Sequence, residues 1–136
     1  MSMLDLTNIK DEIENAEEPK VLPAGEEVQL RIITVNTGND KNGRPYFMPV
    51  FEVLSEPMAK EFSDFFAVPT KEMSEKDYKR AIYKIKLFAQ AFDIDLGRPI
   101  DYEDDLVGLT GWAILGVRRS DEYGDQNTVK KYIAGH

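Results

Sequence analysis

Between residues 74 and 92 the side chains Tyr78, Ile82, Ile85, Ala89 and Phe92 recur at helical spacing, whereas the other main apolar runs alternate. The chain therefore reads as strands interrupted once by a long helix. Ser74 supplies an N-cap with Asp77 at the third helical position, and a helix from about 74 to 92 spans ~28 Å at ~1.5 Å per residue. Ala81 and Phe88 flank its apolar stripe. Lys76, Lys79, Arg80, Lys84 and Lys86 make a polar side that reads as a solvated face rather than a second nucleic-acid track.

Three strand patterns precede this helix. Glu26–Val35 alternates through Val28, Leu30 and Ile32, and Thr37–Pro45 then carries Asn42-Gly43, a turn signal demanding positive φ. Tyr46–Leu54 is the second strand, with Phe47, Phe51 and Val53 on one face and Tyr46, Met48, Val50 and Glu52 on the other. Pro49 lacks a ladder donor, which predicts an edge or a bulge at that point. Glu61–Val68 is the third, with Phe62 and Phe66 on one face and Phe65 on the other. After the helix, an acidic connector over 93–105 leads to strands over Leu109–Arg119 and Thr128–Ile133, joined by the turn-rich Ser120–Asn127.

Three meandering strands, a helix and a final hairpin make a mainly β fold with one α-helix. That is the order of a five-stranded OB-fold Greek-key barrel, with the helix between strands three and four. Ubiquitin-like and SH3-like barrels place no long helix there. Residues 22–136 form this domain, and residues 1–21 an acidic N-terminal arm laid on it, with Leu4, Leu6, Ile9 and Ile13 allowing at most a short helix.

The 136 residues contain no cysteine, which removes thiol nucleophiles, zinc knuckles and iron–sulfur ligation, and the only histidine is the terminal His136, on which a Ser-His-Asp triad would have to rest. Neither Gly-x-x-x-x-Gly-Lys-Ser/Thr nor Gly-x-Gly-x-x-Gly occurs. Asp93-Ile94-Asp95-Leu96-Gly97 puts its glycine one place early for a calcium loop. The reading is a protein that is not an enzyme, with no cofactor and no metal. No apolar run approaches the ~18–20 residues of a membrane helix, and Met1–Asn15 is acidic, so a soluble protein of the cytoplasm is expected, without membrane partners.

A formal net charge of −8 looks wrong for a polyanion ligand until it is divided along the chain. Residues 1–27 hold 8 acids and 2 bases, residues 93–105 hold 6 acids and 1 base, and the rest holds 14 bases against 11 acids. With a Debye length of ~8 Å at physiological salt, a modestly basic body can follow phosphates despite distant carboxylates.

An OB barrel binds across strands two and three, between the loops joining strands one to two and four to five. Those places hold Lys41, Arg44, Tyr46, Phe62, Phe65, Arg118, Arg119, Tyr123, Lys130, Lys131 and Tyr132. Cations alternating with flat rings suit single-stranded nucleic acid, since cations neutralise phosphates and rings stack bases. Trp112 joins the candidates, although a lone tryptophan on a central strand also serves packing.

Several short stretches strengthen this reading: Asp5-Leu6-Thr7-Asn8, Leu22-Pro23-Ala24-Gly25, Asn42-Gly43 before Phe51-Glu52-Val53, a Leu/Phe-Ala helix, Glu103-Asp104-Asp105-Leu106-Val107-Gly108, and Tyr123-Gly124 followed by Asn127-x-Val129-x-x-Tyr132. Together they resemble a family of small bacteriophage proteins from replication and recombination modules, regarded as OB-fold single-stranded-DNA-binding proteins. The resemblance implies sequence-tolerant protection of single-stranded DNA in the host cell cytoplasm, without catalysis. Its implied partners are single-stranded DNA and replication or recombination proteins, with a homodimer left open. Many such binders end in an acidic tail, whereas this chain ends Lys130-Lys131-Tyr132-Ile133-Ala134-Gly135-His136. The acidic N-terminal arm is then the candidate for docking partners or competing with DNA. Two rival readings stand beside this one: an acidic protein-interaction module or host-factor inhibitor, and a metal-assisted nuclease using the carboxylates of 93–105.

Overall fold

A computed structural model describes residues 2–136. Six antiparallel strands, β1 (Glu27–Asn39), β2 (Pro45–Val53), β3 (Phe62–Ser63), β4 (Phe66–Ala67), β5 (Thr110–Arg118) and β6 (Gln126–Ile133), form one open sheet. Its order is β3-β2-β1-β5-β6, with β4 also paired to β2. Two α-helices accompany it, a short α1 (Lys10–Glu14) and the long α2 (Glu75–Phe92), with single helical turns at Thr7–Ile9 and Tyr102–Leu106.

Six strands replace the five expected, and Pro49 explains the extra one. Far from an edge, β2 is paired on both sides. The Pro49 carbonyl accepts from the Asp64 N–H at 3.2 Å, but proline has no N–H to return. The ladder lapses opposite it, and the segment predicted as strand three divides into β3 and β4 around Asp64-Phe65. β1 also runs on to Asn39, beyond the expected Val35, because β2 supplies partners as far as the Asn39↔Pro45 pair.

α2 starts where its cap directs: the Ser74 hydroxyl accepts from the Asp77 N–H at 3.1 Å. It ends at Asp93, whose left-handed φ of 55° lets the Ile94 N–H reach back to the Ala89 carbonyl at 2.9 Å. Its second half plugs the curved sheet. Phe88 and Phe92 pack against Phe51, Phe66 and Tyr132, with the Phe66–Phe88 centroids 4.7 Å apart. The fit is close over β5, where a methyl group on Gly111 would lie 2.7 Å from the Ala91 carbonyl oxygen. The core beneath also contains Leu30, Ile32, Phe47, Phe62, Ala113 and Leu115.

No ladder joins β3 to β6; side chains span the gap instead. The Tyr132 hydroxyl donates to Asp64 Oδ2 at 2.6 Å, and Lys84 of α2 reaches Asp64 Oδ1 at 2.8 Å. At the other end of the sheet the buried Asn127 accepts from the Leu22 N–H and donates to the carbonyls of Leu22 and Gly116, fixing the chain just before β1. Upstream, residues 2–20 are exposed throughout, so the arm is not laid on the domain. It meets the body where Lys20 forms a parallel bridge with Ala59. Among the described residues no helix is long and apolar enough to cross a membrane.

Burial pushes the Tyr132 phenol well above its usual value near 10, and the neighbouring Asp64 charge acts in the same direction. A folded-state value above the unfolded one means the neutral phenol stabilises the fold below about pH 10, and this contribution disappears as pH rises through the folded value. Thermal melts from pH 8 to 11 should show stability falling at the alkaline end. Tyr132→Phe should lower stability by about 1–3 kcal/mol at neutral pH, because Asp64 loses a donor, and should reduce the alkaline decline. An alkaline slope identical in both proteins would show that this phenol is not responsible.

Candidate nucleic-acid interface

The tip of the β1–β2 hairpin forms one end of the candidate site. Asp40 Oδ1 accepts from the N–H groups of Asn42 and Arg44 at 2.8 and 2.9 Å, and Gly43 takes the left-handed φ of 76°. This tight loop presents Lys41 and Arg44 to solvent. Its carboxylate is engaged by backbone donors and leaves both cations without an ion-pair partner among the described residues.

The first residues of β2 and the break between β3 and β4 add the rings. Tyr46 lies on the outer face and meets the exposed Phe65 with centroids 5.2 Å apart and planes 37° apart. On its other side the Tyr46 ring rests over Gly38 of β1, its register partner, where a methyl group would stand 2.8 Å from the hydroxyl oxygen. Phe65 faces outward because its backbone is held at both ends. Its N–H donates to Asp64 Oδ1 at 2.9 Å, and its carbonyl accepts from Lys84.

Four expected residues, Lys41, Arg44, Tyr46 and Phe65, are thus brought to one end of the sheet. Two others are corrected. Phe62 is buried in the core against Phe51, and Tyr132 is 7% exposed with its hydroxyl bound to Asp64, so neither ring is open to a base. Both alternate correctly along their strands, but the curl of the sheet turns their face inward.

The β5–β6 loop stands apart from the hairpin tip. Lys60, just before β3, donates to the carbonyls of Tyr123 and Asp125 at 3.3 Å each, which places the loop at the start of β3. The β1–β2 tip lies beyond the end of β4, so the two loops flank opposite ends of the outer β2–β3–β4 face. Tyr123 is 68% exposed. Arg118 is hydrogen-bonded to Gln126, and Arg119 pairs with Asp125 at 3.5 Å. Lys130 is exposed at the bulge in the β5–β6 ladder, and Lys131 is exposed beside it, opposite Ile114. Trp112 belongs to neither loop: it pairs with Gln29, nine residues along β1 from Gly38, and stacks on the His136 ring at 3.6 Å.

Of the α2 cations expected on a solvated face, Lys76, Lys79, Arg80 and Lys86 are exposed, and Lys84 is the half-buried exception. Arg80 and Lys84 line a groove of about 330 Å³ together with Arg44 and Phe65. Lys84 is not a solvated cation, since Asp64 and the Phe65 carbonyl hold it. The i, i+3/i+4 spacing of Asp77, Arg80, Ala81 and Lys84 marks one side of the helix, but only the fold shows what that side meets.

The acidic connector is engaged locally. Asp101 Oδ1 caps the N–H groups of Glu103 and Asp104, while Asp105 accepts from the Asp101 N–H and pairs with Arg98. That backbone bond, aided by the Arg98 charge, holds the Asp105 carboxyl below the usual range. Among the described residues no three acidic or histidine side chains converge as a metal-holding group.

No protein-family model and no curated protein matches the chain.

The Tyr46–Gly38 contact yields a structural test. Gly38→Ala should leave stability within about 0.5 kcal/mol, because only the free end of one side chain must move. It should rotate the Tyr46 ring off β1 and weaken the Tyr46–Phe65 ring–ring nuclear Overhauser effects. Unchanged ring–ring effects would mean the glycine does not set the platform.

Proposed function

We propose that the protein binds single-stranded DNA, without sequence preference, across the outer face of β2, β3 and β4. The carrying observation is the exposed Phe65 ring meeting the half-buried Tyr46 ring on the outer face, next to a loop that presents Lys41 and Arg44, two cations without carboxylate partners among the described residues. Bases have π-faces whatever their identity, so a ring platform flanked by cations favours unpaired strands of any sequence. A duplex would keep its bases stacked and inaccessible to these rings.

We read the sheet as an OB-type architecture, and that supports the same proposal. Counting β3 and β4 as one interrupted strand, the sheet order and the place of α2 follow that fold, with Asp64–Tyr132 spanning the seam where a closed barrel would carry ladder bonds. Two loops then flank the binding face, one offering Lys41 and Arg44 and the other Tyr123. A role in protecting displaced strands during phage replication or recombination follows from the resemblance in the sequence.

One observation favours a second reading, a protein-interaction module. Between α2 and residues 94–106 lies an apolar hollow of about 180 Å³, lined by Ile85, Phe88, Ile94, Leu96 and Tyr102 among others. That reading predicts a bound protein and no affinity for oligonucleotides.

Fluorescence anisotropy of labelled oligo-dT over a salt series separates the two. Affinity should fall as salt rises, with log K losing ~0.7 per phosphate contact for each decade of salt. Tyr46→Ala should weaken binding about 5- to 150-fold, equivalent to ~1–3 kcal/mol for a lost stacked base, with the salt slope unchanged. Arg44→Ala should reduce the slope by ~0.7. Absence of binding at low salt would overturn the proposal.

A further inference from the structure

We infer that the groove between the β1–β2 tip and α2 is a second nucleotide subsite, in which a base leaving the Tyr46–Phe65 platform is seated and its phosphate is held between Arg44 and Arg80. This inference rests on the single-stranded-DNA reading and adds to it a path, because α2 positions Phe65 through Lys84 but supplies none of the groups proposed to contact DNA on the sheet face.

The groove adjoins the platform directly, since Phe65 lines it while its ring also meets Tyr46. Its volume of about 330 Å³ falls within the ~300–1,000 Å³ usual for small-ligand sites. Apolar surface from Ala67, Met73 and Ala81 suits a flat ring, while Arg44 on the loop and Arg80 on the helix suit an anion. Few ligand classes other than a nucleotide unit combine those two chemistries within one segment of a chain.

The charges around the groove differ in availability. Asp40 is bound to two backbone N–H groups, and Lys84 is bound to Asp64 and the Phe65 carbonyl. Arg44 and Arg80 enter no ion pair among the described residues, and Asp77 on the rim is exposed. A phosphate entering between the two guanidiniums therefore meets cations that need not break an existing pair. Guanidinium is also the side chain whose planar fork best matches phosphate oxygens.

Oligonucleotide length is the test. Labelled oligo-dT from about 4 to 16 nucleotides, the range of site sizes for one OB fold, is titrated against wild type, Arg80→Ala, Ala81→Trp and Lys79→Ala. Lys79 is the helix control, already paired with Glu75. For oligonucleotides long enough to pass Phe65, Arg80→Ala should lower affinity about fivefold at ~0.1 M salt and reduce the salt slope by ~0.7, the share of one phosphate. The shortest oligonucleotides should bind Arg80→Ala as they bind wild type. Ala81→Trp fills the groove and should abolish the same length-dependent gain, with circular dichroism confirming the fold. An Arg80→Ala effect equal at all lengths, or no larger than that of Lys79→Ala, overturns the subsite while leaving the sheet-face reading intact. Failure of wild type to bind any length overturns both.

Discussion

A single carboxylate, Asp64, joins the parts of this molecule that backbone pairing leaves apart. Its two oxygens accept from the Tyr132 hydroxyl, the Lys84 ammonium and the Phe65 N–H, so β6, α2 and the break between β3 and β4 meet at one group. A half-buried carboxylate is costly unless its lone pairs are matched, and here three donors match them. The seam between β3 and β6 is therefore closed by side chains.

The same junction positions the candidate site. Asp64 and Lys84 hold the Phe65 backbone from its two ends, and the Phe65 ring is left with no course but outward, where it meets Tyr46. Tyr46 in turn lies flat only because Gly38 offers no side chain beneath it. Fold stability and site geometry are thus not separable here: the contacts that close the seam also set the angle of the platform. The electrostatics divide differently, by location. The arm is exposed throughout, and the carboxylates of Asp101 and Asp105 are committed to backbone N–H groups. Lys41 and Arg44 face solvent, within a body that carries more bases than acids.

Local pattern made the order of elements, the Ser74 cap and the Asn42-Gly43 turn legible in the sequence, because each depends on residues a few places apart. Alternation also sorted each strand into two faces. It did not reveal which face the curled sheet would enclose, which is why Phe62 and Tyr132 read as available rings and are buried. Tyr132 finds its partner Asp64 across 68 positions, a separation at which sequence spacing carries no signal. The missing donor of Pro49 is legible in the sequence, but its consequence falls on the neighbouring strand, which divides into β3 and β4. A helix wheel puts Lys84 on the polar side without showing that Asp64 and the Phe65 carbonyl stand opposite it.

α2 is longer than its packing requires, and this excess shapes the surface. Its fully buried residues, Phe88, Ala89 and Phe92, occupy the last five positions of an 18-residue helix. The earlier turns overhang the sheet with Tyr78, Ile82 and Tyr83 exposed. A plug for the core could have been made with two turns. The overhanging turns have no core to fill, yet they are capped at Ser74 and carry helix-favouring lysines and alanine, so local propensity rather than burial keeps them helical. Because they stand away from the sheet, they wall a polar groove against the hairpin tip, and the following turns wall an apolar hollow against residues 94–106. The polar groove originates in the overhanging turns, and so does Arg80, which lines it together with Phe65.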